Sequence, residues 1–215
     1  MSPGLPRYVV VEGPIGAGKT SLARRLATSF GSDLVLEQPE NNPFLERFYQ
    51  DPRHGALPTQ LFFLFQRVQL VETMRQTDMF DQVRVSDFLL EKDRLFAGVT
   101  LDEDEFKLYE HVYNKLSVDV PIPDLLIYLQ APVEVLMERV AQRGISYEQL
   151  IKREYMERLM EAYARFFHDY DESPLLIINT AHVDLVNNDE DYELLFEEIK
   201  RVRSGRHYFN PAPIV

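Results

Sequence analysis

Short apolar runs recur along this chain and alternate with longer amphipathic stretches. The runs are nearly continuously apolar, which is typical of strands covered on both faces of a parallel sheet. They predict five strands: Tyr8–Glu12, Leu34–Glu37, Val83–Ser86, Leu125–Leu129 and Leu175–Ile178. The stretches between them repeat apolar residues at helical spacing and predict helices at Lys19–Phe30, Pro43–Gln50, Pro58–Gln76, Leu90–Val99, Glu103–Leu116, Pro132–Arg143, Tyr147–Tyr170 and Asp189–Val202.

The alternation of strands and helices predicts an α/β fold. We expect a five-stranded parallel sheet covered by helices on both faces, and 215 residues fit a single domain. Asn188 is expected to cap the last helix, with Asp191 three residues further on. The segment 204–215, "SGRHYFNPAPIV", is expected to be irregular.

A glycine-rich loop follows the first predicted strand and opens the first predicted helix. It matches G-x-x-x-x-G-K-[ST], the phosphate-binding loop of P-loop NTPases, and it has the strand-loop-helix context that the motif requires. We expect it to bind ATP, with Lys19 on the phosphates and Thr20 on Mg²⁺. The expected contacts are Gly13, Pro14, Ile15, Gly16, Ala17, Gly18, Lys19, Thr20 and Ser21. The alternative is a chance glycine turn.

Composition narrows the function classes. The formal charge is −12, which argues against a nucleic-acid polymer as partner, because such binding needs clustered Lys and Arg. No segment approaches the roughly 20 apolar residues of a membrane span, and the N-terminus does not resemble a signal peptide. The absence of cysteine excludes disulfides and thiolate sites. We expect a cytoplasmic protein with no membrane partner.

Two regions offer chemistry for a phosphate acceptor. Glu37 closes the second predicted strand, where a carboxylate can take the proton of an attacking hydroxyl, although an exposed loop glutamate would look the same. Gln60 and Arg67 lie seven residues apart and share a helix face with Phe63 and Leu64 between them. That face could hold a heterocycle, and the alternative is an ordinary buried helix with polar flanks.

Further candidates lie near the transferred phosphoryl group. Arg139 and Arg143 are spaced i, i+4 before Gly144, so they could form a hinged lid over the phosphates or a solvated cationic face. Asp87 ends the third predicted strand and could hold Mg²⁺ with Thr20, or could cap the next helix. No N-K-x-D motif of switch GTPases occurs, so a small-molecule kinase is favoured.

Five segments, taken together, resemble the deoxynucleoside kinase family, especially its bacterial purine-deoxynucleoside branch. They are "EGPIGAGKTSLA", "LEQPENNPFLERFYQDP", "LPTQLFFLFQR", "SDFLLEKDRLFA" and "ERVAQRGISYEQLIKREYMERL". The first is shared widely among P-loop kinases, whereas the others are much more specific. The resemblance extends from Tyr8 to about Phe196.

The resemblance implies a P-loop kinase fold with a helical lid at about 139–150, a deoxynucleoside substrate and a homodimer. It implies that Glu37 takes the 5′-hydroxyl proton and that lid arginines Arg139 and Arg143 contact the phosphates. It also implies that Tyr49 and Glu148 hold the 3′-hydroxyl and that Gln60 contacts the base edge. Arg67 and Asp93 align with positions that are also Arg and Asp in purine-accepting members, which implies that they contact the substrate.

Two positions depart from the family pattern. Many members have Glu-Arg-Ser where this chain has Asp87-Phe88-Leu89, and Arg-Gly-Arg where it has Arg143-Gly144-Ile145. Lys92, a turn further on, is our hypothesis for the cation that replaces the first missing arginine.

Two rival functions stay open at this point. A nucleoside monophosphate kinase, such as one acting on thymidylate, would need cations for the phosphate of its acceptor. A nucleotide-binding regulatory protein without catalysis would explain the two missing arginines.

Overall fold

A parallel sheet lies at the centre of the protein. The structure is a computed structural model that describes residues 6–76, 83–116 and 119–210. Its six strands have the order β2-β3-β1-β4-β5-β6. They are β1 Tyr8–Glu12, β2 Asp33–Val35, β3 Arg84–Ser86, β4 Leu125–Gln130, β5 Leu175–Asn179 and β6 Arg206–Phe209.

Helices connect the strands and cover the sheet. They are α1 Lys19–Phe30, α2 Leu45–Gln50, α3 Pro52–Gln76, α4 Lys92–Thr100, α5 Glu103–Lys115, α6 Val133–Arg143, α7 Arg153–Asp169 and α8 Asp189–Ile199, with 3-10 helices at Pro39–Asn41 and Ser146–Leu150. Val9, Val10 and Val11 are all fully buried. Because successive strand residues point to opposite faces, both faces of the sheet are covered, as expected.

The sheet has six strands, so the prediction of five was wrong. The sixth, β6, pairs in parallel with β5 and lies inside the segment expected to be irregular. It is short and three of its four residues are at least partly exposed, so no apolar run marks it. Arg206 helps to hold it in place by donating to the carbonyls of Phe167 and His168 at the end of α7. Residues 211–215 of the tail lie outside the described residues.

Helix α3 begins at Pro52, six residues before the predicted start at Pro58. Proline has no N–H to donate to the carbonyl four residues earlier, which normally kinks or ends a helix. Here that carbonyl belongs to His54, and Arg47 donates to it at 2.9 Å. The guanidinium replaces the missing donor, so the helix continues through the proline.

Two other boundaries differ in ways that affect the site. Strand β2 ends at Val35, so Glu37 lies in the following loop instead of in the strand. The predicted helix Tyr147–Tyr170 is divided, because Ile151 and Lys152 are extended. Glu148 therefore lies on a 3-10 turn before α7. The expected cap is confirmed, since Asn188 accepts from the backbone N–H groups of Glu190 and Asp191.

None of the helices within the described ranges combines the length and the apolarity that a bilayer crossing needs.

Candidate active site

The phosphate loop joins β1 to α1 and has a conformation that only glycine adopts easily. Gly16 and Gly18 have φ values of 84° and 94°. A Cβ on Gly16 would lie 2.8 Å from the Leu136 carbonyl oxygen, so a side chain is excluded there. Lys19 donates to the Pro14 carbonyl at 3.1 Å. Burial and the neighbouring Lys92 lower the pKa of Lys19. This geometry suits convergent backbone donors around a phosphate group.

Asp87 connects the phosphate loop to the loop that carries Glu37. Its carboxylate accepts from the Thr20 hydroxyl at 2.5 Å and from the Glu37 backbone N–H at 2.8 Å. Helix α4 starts only at Lys92, so Asp87 does not cap it. Burial raises the pKa of Asp87. A hydroxyl and a carboxylate side by side are hard oxygen ligands, a donor set that fits Mg²⁺.

A cavity of about 670 Å³ opens on one side of the phosphate loop. Its wall includes Gly16, Ala17, Gly18 and Ser21 of the loop, and the segment 180–187 lies opposite. Arg25 of α1 fixes that segment by donating to the Val186 carbonyl at 2.8 Å and pairing with Asp189. Sequence reasoning missed this wall, although it follows the carboxyl end of β5, where ligands of such sheets bind.

The two candidate lid arginines have different partners. Arg139 donates to the hydroxyl and the carbonyl of Thr180 at 3.0 and 2.6 Å, so it faces the 670 Å³ cavity. Arg143 makes a bidentate ion pair with Glu148, with Nε–Oε2 and Nη2–Oε1 distances of 2.9 and 2.6 Å. It lines both this cavity and a second one.

The second cavity brings together most of the predicted acceptor residues. It has a volume of about 120 Å³ and lies against the side of the phosphate loop that carries Lys19. Its polar lining is Lys19, Thr20, Glu37, Tyr49, Gln60, Arg67, Asp87, Lys92, Arg143, Glu148 and Tyr155. Phe48, Phe63 and Phe96 are among its apolar walls, whereas Leu64 packs into a separate core cluster. Residues from many separate parts of the fold thus converge here, and we call this space the acceptor cavity.

Arg67 holds Glu37 on one side and Asp93 on the other. Its Nε lies 2.5 Å from Glu37, and its Nη1 bonds Asp93, which also accepts from the Tyr109 hydroxyl at 3.1 Å. The Arg67 guanidinium lies 5.1 Å from the centre of the Phe63 ring. Asp93 is fully buried behind Arg67, so it does not line the cavity itself.

Burial and charge set the protonation of these two carboxylates in opposite directions. Burial alone would raise the pKa of Glu37, but Arg67, Lys92 and Lys19 outweigh it and lower that pKa to about 2. Burial raises the pKa of Asp93, and this effect is larger than the lowering by Arg67 and by the hydrogen bond from Tyr109. The pKa of Asp93 therefore rises to about 6. Glu37 is therefore ionised at ordinary pH values, whereas the pKa of Asp93 lies near 6.

The far end of the acceptor cavity carries an unpaired polar atom. Gln60 is almost fully buried, and its Oε1 has no hydrogen-bond partner among the described residues. Leaving a buried acceptor unpaired costs about 1–3 kcal/mol, a cost that a ligand donor would remove. Tyr49 stacks on Tyr147, and burial raises the pKa of Tyr49, with smaller contributions from Tyr155 and Glu148. The cavity therefore has an amide at one end and a phenol beside Glu148.

A family model for deoxynucleoside kinases matches residues 9–203, which is most of the chain. The chain belongs to the deoxynucleoside kinase family. It is similar to a deoxyguanosine kinase of Bacillus subtilis, with 31% identity over 91% of this chain and 97% of that protein. It is also similar to a deoxyadenosine kinase of Lactobacillus acidophilus, with 30% identity over 90% and 94%.

A solved structure has the same fold as this kinase. It is a deoxyadenosine kinase from M. mycoides with products dCMP and a flexible dCDP bound, at a TM-score of 0.76 and 25% identity over 90% of this chain and 99% of that one. A thymidylate kinase of Leuconostoc citreum also matches, at 28% identity over 93% of this chain and 99% of that protein, more weakly than the two kinases named above.

The positions where this kinase departs from the family pattern have clear places in the fold. Phe88 is buried beneath α3 against Val71 and Met74, so that position points away from the acceptor cavity. Lys92 does line the cavity. Glu12, which bonds Lys92, was not singled out from the sequence, although a lone carboxylate at the end of a buried strand just before a phosphate loop is an unusual feature.

Proposed function

We propose that this kinase transfers the γ-phosphoryl group of ATP to the 5′-hydroxyl of a deoxynucleoside and favours purine deoxynucleosides. The observation that carries the proposal is the acceptor cavity, which brings the Gln60 amide together with Glu37 and with Lys19 at the phosphate loop. The 670 Å³ cavity on the other side of the loop is the proposed ATP site.

The base is proposed to lie between Gln60 and Arg67, with Phe63 as an apolar wall. The unpaired Oε1 of Gln60 can accept from an exocyclic amino group, and Arg67 can donate to a ring nitrogen or carbonyl once it turns from Glu37. Tyr49 and Glu148 are proposed to hold the 3′-hydroxyl. A buried site that reads hydrogen bonds discriminates strongly, because the wrong base leaves its polar groups unpaired.

In the proposed reaction the 5′-oxygen forms a bond to the γ-phosphorus, and the bond from that phosphorus to the bridging oxygen of ADP breaks. Glu37 orients the hydroxyl and receives its proton, which then leaves to water. Lys19 and Arg143 compensate the charge on the transferred phosphoryl oxygens, whereas Arg139 contacts the ATP phosphates from the 670 Å³ cavity. Thr20 and Asp87 would hold Mg²⁺, whose chemistry is to neutralise phosphate charge.

The resting cavity is smaller than the roughly 300–1,000 Å³ of typical ligand sites, at about 120 Å³. Two ion pairs narrow it, Arg67–Glu37 and Arg143–Glu148. We propose that both pairs open when substrates bind, which frees each carboxylate for a sugar hydroxyl.

A panel of deoxyadenosine, deoxyguanosine, deoxycytidine and thymidine with ATP and Mg²⁺ tests the proposal. We expect ADP release with the purines and a loss on the order of 10²–10³ in kcat for Glu37→Gln, which keeps the size but cannot take a proton. Glu40→Gln, an exposed carboxylate nearby, is the matched control and should retain the parent rate. Parental turnover by Glu37→Gln would reject the role of Glu37.

Adding thymidylate and deoxyadenosine monophosphate to this panel separates the rivals. A thymidylate-type kinase would release ADP with a deoxynucleoside monophosphate and not with the nucleoside. A regulatory protein would bind ATP and release no ADP with any acceptor. The Tyr49 and Glu148 pair favours a sugar hydroxyl, because a carboxylate repels a phosphate acceptor.

Homodimer formation and a cytoplasmic location are further proposals. The first rests on family resemblance, and light scattering of the purified protein would test it. The second rests on the cysteine-free composition.

A further inference from the structure

We infer that Lys92 is a further catalytic cation of the acceptor site and that Glu12 is the residue that positions it. The inference rests on the proposed kinase reaction and deepens it. Sequence separates the two residues by 80 positions, and the fold brings them into contact at the carboxyl end of β1.

The placement of Lys92 points to the acceptor. Its Nζ lies 3.2 Å from Oε2 of Glu37 and 2.9 Å from Oε1 of Glu12, and the side chain lines the acceptor cavity. The residue is 2% exposed. A lysine this buried is uncommon and needs charged partners to stay there. Among the described residues two carboxylate oxygens receive its protons, so one of its three N–H groups is available to a ligand.

Glu12 is built to hold this cation in one position. Its Oε2 accepts from the Gly13 backbone N–H at 2.8 Å and from the Tyr163 hydroxyl at 3.0 Å. Its Oε1 accepts from the Leu89 backbone N–H at 3.1 Å, in addition to Lys92. These donors come from the phosphate loop, the loop after β3, α4 and α7. The carboxylate therefore fixes the ammonium group relative to the phosphate loop.

The charge of Lys92 is maintained in this setting. Burial alone would lower its pKa, but Glu12 and Glu37 raise it above the ordinary value. A charged ammonium beside Glu37 lies where the 5′-oxygen loses its proton and where the transferred group gains negative charge. In the reaction Lys92 makes no covalent bond and releases no proton; it compensates charge while the proton moves to Glu37.

Kinetics of Lys92→Met test the inference, because methionine has an unbranched side chain of nearly the same length and removes the charge. We expect kcat to fall on the order of 10²–10³ while the KM for deoxyadenosine changes little, since the interaction is made in the transition state. Lys92→Arg, which keeps the charge, should recover part of the loss. Arg94→Met is the matched control on the same helix, where Arg94 forms an exposed pair with Glu110, and it should keep the parental kcat.

A second variant separates catalysis from folding. In Lys92→Met the carboxylate of Glu12 is left buried without its cation, which destabilises the fold. Glu12→Gln combined with Lys92→Met removes both charges, so thermal stability should return while the kcat deficit remains. Parental kcat in the double variant would mean that Lys92 only neutralises Glu12 and would overturn the inference. If the parent phosphorylates no deoxynucleoside at all, the proposed function fails instead.

Discussion

At the scale of single residues, the acceptor site is a row of alternating buried charges. Glu12, Lys92, Glu37, Arg67 and Asp93 follow one another, each in contact with the next. Neighbours of opposite sign offset the cost of removing each charge from water. Because every inner member touches two partners, a ligand that takes one of them changes the environment of the next.

The pH dependence of purine recognition should follow Asp93. Its pKa is about 6, because burial outweighs Arg67 and Tyr109, so it becomes neutral as the pH falls through that value. Arg67 then loses the anionic partner that lies behind it, on the side away from the acceptor cavity. We expect kcat/KM for deoxyadenosine to decrease about tenfold per pH unit below about 6. Glu37, with a pKa of about 2, stays ionised throughout and does not contribute to this decrease.

Steady-state kinetics from pH 5 to 8 would measure this decrease in kcat/KM. In Asp93→Asn the decrease in kcat/KM at low pH should disappear, even if the variant is less active, because the titrating group is gone. Asp119→Asn is the control, since Asp119 is an exposed partner of Arg75. If kcat/KM of Asp93→Asn decreased at low pH as in the parent, the titration would belong to another group.

At the scale of elements, the sequence predicts what depends on local pattern. The five predicted strands and the phosphate loop are present in the structure. Apolar runs and glycine spacing extend over only a few residues, so the sequence alone is enough to recognise them. Pro58 predicts a helix start because its missing N–H is a local feature of the sequence, whereas the compensating Arg47 belongs to another helix. Strand β6 was missed because its pairing with β5, not its composition, makes it a strand.

The C-terminal half of α6 carries two arginines to which the structure gives different neighbours. Arg139 bonds Thr180 in the wall of the proposed ATP site, so Arg139→Ala should mainly raise the KM for ATP. Arg143 lines both cavities, so Arg143→Ala should mainly lower kcat, on the order of 10²-fold. Initial rates with varied ATP at saturating deoxyadenosine measure both effects. Equal losses of kcat in the two variants would contradict this division of roles.

At the scale of the whole molecule, a chain with a net charge of −12 concentrates cations where phosphates are expected. Lys19, Arg67, Lys92 and Arg143 all line the acceptor cavity, yet they come from α1, α3, α4 and α6. Each of these residues can be predicted separately, from the local sequence or from the resemblance to the family. The bond between Glu12 and Lys92 cannot be predicted in this way, because contacts between distant segments depend on how the helices pack.

The two substrate sites should bind their ligands with positive coupling. Arg143 lines both cavities and is paired with Glu148, the proposed 3′-hydroxyl contact. Phosphates that attract Arg143 would release Glu148 for the sugar. We therefore expect a non-hydrolysable ATP analogue with Mg²⁺ to lower the Kd of deoxyadenosine about tenfold, within the usual 1–3 kcal/mol of coupling. Calorimetry with and without the analogue measures this change.

Arg143→Ala should remove the coupling, because Glu148 is then free before the analogue binds. The two Kd values for deoxyadenosine should become equal in that variant. Arg153→Ala is the control, since Arg153 forms exposed pairs with Glu134 and Glu157 at the start of α7, and it should retain the tenfold effect. Coupling of the same size in Arg143→Ala and in the parent would show that the Arg143–Glu148 pair does not connect the two sites.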